Sequence, residues 1–428
     1  MNDANQNWYQ ASRNSNAQYP PLTSNENVDV CVVGAGITGL TTALHLAERG
    51  YRVAVLEAQQ VGFGASGRSG GQMIFGLAAE QPSIEKLVGK ADAQKIWQAS
   101  LAGLDLLRGR IAKHNIDCSY APGHAHVAIK PRHINELKHW ADDLQTHYHY
   151  PVELWDKQRT QQEINSQRYC AALYDGNSGH IHPLNYTLGL AQAANTCGVS
   201  IYEHSPALAI DHTQEPAGPT TITTATGSIK AQFVVLAGNA YLANVGDALR
   251  NKIMPVGTYI CATQPLGQER AQALIRNNIA VADINFVLDY FRLSHDTRLL
   301  FGGRVSYSTV PPANLARAMG ARMRAVFPQL HNTRIDYAWG GFVGITVNRA
   351  PHFGRLASNV YFAQGFSGHG IAATGLAGKL MADAIAGTAE RFDVFTRIPQ
   401  MAFPGGRLLR TPALVLAMAY YRLKDLLP

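Results

Sequence analysis

The chain has 428 residues, 46% of them hydrophobic and 16% charged, with a formal net charge of +7. That length and balance suit one large or two closely joined globular domains and leave no compositional sign of extended disorder. Basic residues never run together and no stretch of about 18 apolar residues occurs, which argues against a nucleic-acid partner and against a spanning helix.

Residues 1–27 read as an N-terminal arm, polar and rich in Asn, Gln and Ser, able to pack across the surface at Trp8-Tyr9. The arm lacks the apolar segment of a signal peptide. The cysteines at 31, 118, 170, 197 and 261 are dispersed and odd in number, as expected of reduced, mostly buried thiols in a cytoplasmic protein.

Val30 to Val33 is a short apolar run of the kind a doubly buried parallel strand shows. It leads into Gly34-Ala35-Gly36-Ile37-Thr38-Gly39, a G-x-G-x-x-G fingerprint. Its glycines serve a tight turn, a bare backbone against a pyrophosphate, and close helix–strand packing. A helix opening near Gly36 aims its free N–H groups and positive end at the phosphates, with Leu40, Leu44 and Ala47 as its buried stripe and Gly50 just past its end. Val53 to Leu56 is the second strand, followed by Glu57, 18 positions after Gly39, where an acid accepts ribose hydroxyls. Strand, glycines, helix, strand and acid in register predict a bound dinucleotide.

The loop from Gly62 to Gln72 has too many glycines for a packed helix or central strand. It suits backbone approach to a flat or anionic group, and Arg68 can add charge. A long helical pattern spans Ile84 to His114. A strand over Tyr120 to Lys130 follows, with a turn at Pro122-Gly123, then a helix over 132–147, a strand at Tyr169 to Tyr174 and a helix over 184–197. His124 and His126, like His180 and His182, fall on one face of an extended segment. No acid or cysteine pattern accompanies either pair, so they are read as structural and no metal is expected.

Strand patterns recur at Val199 to Tyr202, Ala207 to Asp211, Thr220 to Thr224 and Phe233 to Gly238. Tyr259 to Thr263, Phe286 to Leu293 and Leu299 to Gly303 predict an antiparallel sheet rich in aromatic residues, with a helix at 313–326. Val360 to Ala363, the turn Gln364 to Gly370 and a helix from Ile371 to Ala386 make a second anion-stabilising helix start. Pro412 to Tyr421, flanked by arginines, is read as a terminal helix on the protein body, with peripheral membrane contact as the lesser alternative.

Together these segments resemble the D-amino-acid oxidase superfamily of FAD proteins, in its glycine/sarcosine oxidase branch and nearest its gamma-glutamylputrescine oxidoreductase group. The resemblance covers nearly the whole chain. It rests on VDVCVVGAGITGLTTALHLAERGYRVAVLEA, GFGASGRSGGQ, GHIHPLNYTLGLAQAA, LLFGGRVSYS, WGGFVGITVNRAPHFGRL and QGFSGHGIAATGLAGKLMADAIAG. It implies an α/β (α+β overall) fold: a split Rossmann-like FAD-binding domain (28–83, 181–245, 346–390) and an inserted antiparallel-sheet substrate domain (84–180, 246–345), then a C-terminal extension (391–428).

By that resemblance Gly34, Gly36, Ile37, Thr38, Gly39, Glu57 and Ala58 hold the ADP half. Gly64, Ala65, Ser66, Arg68, Ser69, Gly70, Gly71 and Gln72 meet the pyrophosphate and flavin. Ala207, from the segment near the adenine, Ala237, Gly238, Gly340 and Gly365 complete the cradle. Gly368, His369, Gly370 and Ile371 lie at the pyrimidine edge of the ring. Relatives with covalent flavin use a cysteine near 339–346 or a histidine in the loop at 64–72; neither occurs here, so non-covalent FAD is expected. No lysine lies between Lys252 and Lys379, where the sarcosine oxidase group has an oxygen-activating one, so Arg304 or His369 is expected to supply positive charge.

The implied reaction is oxidation of an amine to an imine, hydrolysed to aldehyde and ammonia, with gamma-glutamylputrescine or a related polyamine derivative as substrate and oxygen or another acceptor taking the electrons. A desolvating pocket favours the neutral amine. Tyr259, Tyr290, Phe291, Tyr307 and Trp339 are its candidate walls, though each taken singly suits a core better than a pocket. Arg304 fits either a substrate carboxylate clamp or a surface ion pair. The alternatives are oxidation of sarcosine, glycine or a D-amino acid, and, from another class, a tRNA-modifying or non-catalytic flavoprotein.

Overall fold

A computed structural model describes residues 7–212, 218–285, 287–303, 312 and 314–403. Arg304, Tyr307 and the Pro412 to Tyr421 stretch lie outside the described residues.

Two sheets organise the chain. The first carries, from one edge, His352–Ala357, Val360–Gln364, Ser228–Leu236, Asn25–Val33, Val53–Leu56 and Ser200–Tyr202, with a meander of Ala209–His212 and Thr220–Thr223 on the Ser228–Leu236 strand. From Val360–Gln364 to Ser200–Tyr202 the neighbours are parallel. Asn25–Val33 is hydrogen-bonded on both sides, with Val30 opposite Val53 on one and Phe233 on the other. Its Val30, Cys31 and Val32 are fully buried, as an apolar run covered on both faces must be. It begins at Asn25, inside the polar arm expected at 1–27.

Among the described residues the second sheet has nine strands, mostly antiparallel, from Ile335–Ile345 through Met254–Thr263, Leu299–Gly303, Tyr290–Leu293, Ala280–Asp283, Ala121–Ala128 and Ala171–His180 to Gln72–Met73, with Glu153–Trp155 also paired to Ala171–His180. One pair departs from the expected pattern: Ala280–Asp283 runs parallel to Ala121–Ala128. Gln72–Met73 is a strand of this sheet although it continues the first glycine loop. That short strand carries the loop from one sheet to the other.

Two expected elements differ in detail. The helical stretch from 84 to 114 is two helices, Gln81–Val88 and Lys90–His114, broken at Gly89, whose φ of 80° no helix accommodates. Pro122-Gly123 does not turn the chain. It is a bulge within Ala121–Ala128, with Gly123 at φ 95° and a register shift before His124. Pro122, which lacks an N–H, stands near the strand's start opposite Gly179, before pairing to Ala280–Asp283 begins at His124.

The helix Ile37–Ala47 packs against Gly370–Ile385. A Cβ on Gly378 would lie 2.5 Å from the Thr38 carbonyl oxygen, so the two backbones touch. No described helix is long and apolar enough to cross a membrane. Of the five cysteines, all free, Cys31, Cys118 and Cys261 are buried, Cys170 is half-buried and Cys197 is exposed.

The tightest contact joins Gly39 to Gly34. A Cβ on Gly39 would sit 1.9 Å from the Gly34 carbonyl oxygen, whereas one on Gly50, at φ 84°, meets nothing within 4 Å. Gly39→Ala is therefore expected to destabilise the protein by roughly 3 kcal/mol or more through overpacking. Gly50→Ala is expected to cost about 1 kcal/mol, from backbone strain alone. Urea midpoints of the two variants check the order; equal losses would remove the close approach as the constraint.

Candidate active site

The parallel strands deliver Val33, Leu56, Leu236 and Gln364 to one edge of the first sheet, and the turns that follow converge there. Gly34, at φ 110°, has its α-carbon against the Ala237–Gly238 peptide, with room for no Cβ (3.0 Å to the Ala237 carbonyl carbon). Its N–H donates to the Leu56 carbonyl at 2.8 Å. Ala35 N–H donates to Glu57 Oε2 at 2.8 Å and Gln59 N–H to Oε1 at 2.9 Å. Burial pushes the Glu57 carboxyl up from its ordinary range and these backbone bonds pull it back, leaving acceptor lone pairs on both oxygens at the strand end. Exposed Ala58 follows it, and half-buried Ala207 packs beside the meander.

At Gly36 the helix begins with no side-chain cap, and a Cβ there would lie 2.8 Å from Ser66 Oγ, which accepts the Ile37 N–H at 3.0 Å. The first helical turn and the loop containing Ser66 thus form one bare cradle with spare N–H donors. Thr38 is buried in that turn.

The loop from 62 to 72 is tied down at both ends. Arg68 Nε donates to the Phe63 carbonyl at 2.8 Å, with its guanidinium over the Phe63 ring, and Nη1 reaches the Gly340 carbonyl at 3.4 Å. Trp339 Nε1 donates to the Arg68 carbonyl at 2.9 Å. Half-buried Gly64 abuts the Tyr241 ring. The Arg68 side chain, expected at a phosphate, clasps this loop to the Ile335–Ile345 strand.

Between the loop, the second sheet and the start of Gly370–Ile385 lies a cleft of about 240 Å³. Ile37, Ala65, Ser66, Ser69, Gly70, Gly71 and Gln72 line one side; Thr258, Ala282, Leu288, Tyr290 and Gly303 the sheet side; Phe366, Ser367, Gly368, His369, Gly370 and Ile371 the far end. Gly365, at φ 76°, sets that end: its N–H donates to Asn239 Oδ1 at 2.9 Å, and a Cβ there would meet Thr346.

Of the expected pocket walls among the described residues, only Tyr290 lines the cleft. Its ring covers Gly70 and Gly302, at both of which a Cβ would collide with it. Tyr259 and Phe291 point to the opposite face of the sheet, into a core with Phe301 and Phe327. Trp339 is buried with Trp8, Tyr9 and Leu300. For Tyr259 and Phe291 strand alternation makes the difference: Thr258 and Tyr290 face the cleft, so their neighbours Tyr259 and Phe291 cannot.

Several charged or polar groups at the cleft escaped the sequence reading, Arg349, His126 and Asp283 among them. Arg349 lines it beside His369, and burial, then the Arg349 charge, push the His369 imidazole down to about 4. His126, also lining, is pushed down to about 3 by burial and then by His369; its Nε2 is buried without a hydrogen-bond partner. His124 packs on it at 4.5 Å between ring centroids, and Gln72 Oε1 lies 3.4 Å from His124 Nε2. Ser69 Oγ is likewise buried and unpartnered at the cleft. The other histidine pair diverges: His180 Nε2 faces the Asn278 carbonyl at 2.7 Å, while His182 caps the helix Pro183–Thr196. His126 was readable as a strand-face histidine, but nothing local marks which face meets a cleft.

Bare glycine edges against a helix start, an acid at the second strand end and unpartnered polar atoms in an elongated cleft fit a flavin dinucleotide. A family model described as DAO, FAD dependent oxidoreductase, matches residues 29–384. The chain belongs to this family. It is an FAD-dependent oxidoreductase. It is 42% identical over 426 residues to gamma-glutamylputrescine oxidoreductase of Escherichia coli K12, covering 99% of each chain. It is 43% identical over 423 residues to the probable oxidoreductase OrdL of Haemophilus influenzae, covering 98% of this chain and 96% of that one. Glycine oxidase from Bacillus cereus has the same fold, with a TM-score of 0.71 at 20% identity over 87% of this chain and 99% of that one.

Gly36→Asp places a carboxylate where Ser66 and the helix start leave no room even for a Cβ. The purified variant is expected to be colourless; retained visible flavin absorbance would move the diphosphate elsewhere.

Acid should unfold this protein readily. His45, His126, His180 and His182 are pushed down to about 3, and His352 and His369 to about 4, each chiefly by burial. Unfolded imidazoles protonate below about pH 6.5, so folding expels protons and stability falls as pH drops from there towards 4. Asp283, pushed up to about 8 by burial and then by Asp289, opposes this by one proton, as in part do Glu57, Asp175 and Asp289. A net uptake of at least about two protons is expected near pH 5.5, a slope of roughly 2.7 kcal/mol per pH unit. Urea unfolding of the FAD-loaded protein across pH measures it; a slope under about half that would mean these imidazoles are not held neutral.

Proposed function

We propose that the protein oxidises gamma-glutamylputrescine, or a closely related polyamine derivative, at its terminal primary amine, with FAD held non-covalently and oxygen as the electron acceptor. The observation that carries this reading is the 42% identity to a protein of that name along 99% of both chains. The fold shared with glycine oxidase, at 20% identity, speaks to architecture alone.

Overall, R–CH₂–NH₂ loses two electrons and two protons to give R–CH=NH. Water then releases aldehyde and ammonia, and oxygen gaining the two electrons and two protons leaves as hydrogen peroxide. FAD bound in the cleft supplies the two-electron acceptor for the hydride of the C–N carbon. The protein's part is to present that carbon with its nitrogen lone pair free.

Tyr290, Leu288, Phe366 and Ile371 give walls that strip water from an alkyl chain. Low-dielectric surroundings penalise an ammonium more than a neutral amine, and Arg349 at the same cleft adds repulsion of the same sign. His126 stays unprotonated there, so its free Nε2 can accept an amine N–H without itself becoming charged. Arg349 also offers a fork of donors for a carboxylate such as the glutamyl head group carries. Arg304 keeps its two sequence-based readings, clamp or ion pair. No cysteine lines the described cleft, consistent with a flavin free of a thioether bond.

Anaerobic mixing of the yellow protein with each amine tests the reading. Gamma-glutamylputrescine should bleach the flavin band, while sarcosine and glycine should leave it. Bleaching by sarcosine alone would replace this assignment with the amino-acid one, and bleaching by none would remove amine oxidation. Acid precipitation should release all the yellow colour into the supernatant. Arg349→Met should raise KM at least tenfold, about 1.4 kcal/mol of lost binding; unchanged kinetics would make Arg349 structural.

A further inference from the structure

Arg292 is a buried cation with no anion among the described residues. It sits on Tyr290–Leu293, two residues beyond Tyr290 and so on the same face of the sheet, and is 3% exposed. Nε donates to the Gly70 carbonyl at 2.7 Å. Nη2 donates to the Ile181 carbonyl at 2.8 Å and to the Tyr9 hydroxyl at 3.1 Å, and Nη1 to the Leu293 carbonyl at 3.1 Å. Every acceptor is neutral. Among the described residues no carboxylate pairs with it: nearby Asp296 is taken by Trp8, Ser294 and Arg298.

The surroundings keep this charge dry. Tyr9, fully buried, lies edge-on to Trp339 and to His182, with the guanidinium 5.9 Å from its ring centre. His180 and His182 are neutral, through burial first and the Arg292 charge second. The turn that Arg292 grips leaves it no slack. Gly71 is at φ 72°, and a Cβ there would lie 3.0 Å from Nη2. Ser69, Gly70, Gly71 and Gln72 present their other side to the cleft.

These four bonds need more N–H donors than the two an amide side chain has, and the guanidinium that supplies them brings the desolvation cost of a lone buried ion. The cost is offset where negative charge develops nearby in the working state, and a flavin gains negative charge on reduction. We propose that Arg292 is a positioning residue for the flavin: it fixes the Gly70–Gly71 turn and, across that turn, lends its charge to the ring bound on the other side, favouring the reduced cofactor. The N-terminal arm is part of the device, since Tyr9 both takes a hydrogen bond from the guanidinium and seals it from solvent. This inference is independent of which amine is the substrate.

The test needs no substrate. Flavin reduction is followed in the holoprotein against a reference dye, giving the ratio of reduced to oxidised FAD affinity. Arg292→Gln keeps a donor towards Gly70 and removes the charge. It should weaken reduced FAD at least tenfold relative to oxidised, a fall of about 30 mV for this two-electron couple. Arg292→Lys keeps the charge but loses part of the fork, so it should loosen both forms alike and hold their ratio within threefold of wild type. An Arg292→Gln holoprotein with the wild-type ratio would overturn the proposal. So would a tenfold fall in the Lys variant, which decides the matter even if the Gln variant does not fold.

Discussion

The architecture depends on a contact between two backbones. Gly39, one turn into its helix, rests on the carbonyl oxygen of Gly34, closer than any side-chain carbon permits. That contact brings the helix down onto the Asn25–Val33 strand and points its first N–H groups along the strand edge. Gly34 in turn lies on the Ala237–Gly238 peptide, so the fit extends to the neighbouring strand. Three chain segments, separated by the inserted second sheet, are thereby held at one edge, and the cleft is what their turns enclose.

A second constraint acts on the loop after Glu57. A glycine-rich segment has the highest chain entropy to lose and no side chains with which to pack. Here its order is imposed by neighbours reaching for its carbonyls: Trp339 for Arg68, Arg292 for Gly70, and Thr187 for Ser66 at 3.3 Å. Each donor comes from a different element. The side chains that make the loop a binding surface therefore lie outside it, in the second sheet and the helix Pro183–Thr196.

This division explains what the sequence could tell. The strand–turn–helix units at Val30 to Gly39 and Val360 to Ile371 were legible because turn chemistry and apolar periodicity are local. Glu57 was legible from its spacing. The pocket walls were not, because Tyr259, Tyr290, Phe291 and Trp339 have the same composition and β pattern whether they face a cleft or a core. A shift of one residue along a strand reverses the answer, and the register that decides it is set by cross-strand partners, such as Gly302 opposite Tyr290 and Gly303 opposite Tyr259. Arg349 and Arg292 were missed for a related reason: an arginine's role is defined by what it meets. Trp8-Tyr9, read as a surface contact, is buried against Arg292 and Trp339, and makes the arm part of the site's foundation.

One electrostatic field serves both halves of the reaction on the reading proposed here. Described carboxylates near the cleft are sparse: Asp283 is pushed up to about 8, and its oxygens accept the Asn285 and Asp289 N–H groups. The histidines are uncharged, while Arg349, Arg292 and the start of Gly370–Ile385 all present positive potential. Positive potential in a dry cleft lowers the proton affinity of an amine, so the bound nitrogen keeps its lone pair. The same potential raises the electron affinity of the ring that takes the hydride. A site with acidic walls would bind a polyamine more tightly and hold it in the unreactive ammonium form. The low count of charged acids is therefore a kinetic requirement of the chemistry, met at the expense of ground-state attraction for a cationic substrate.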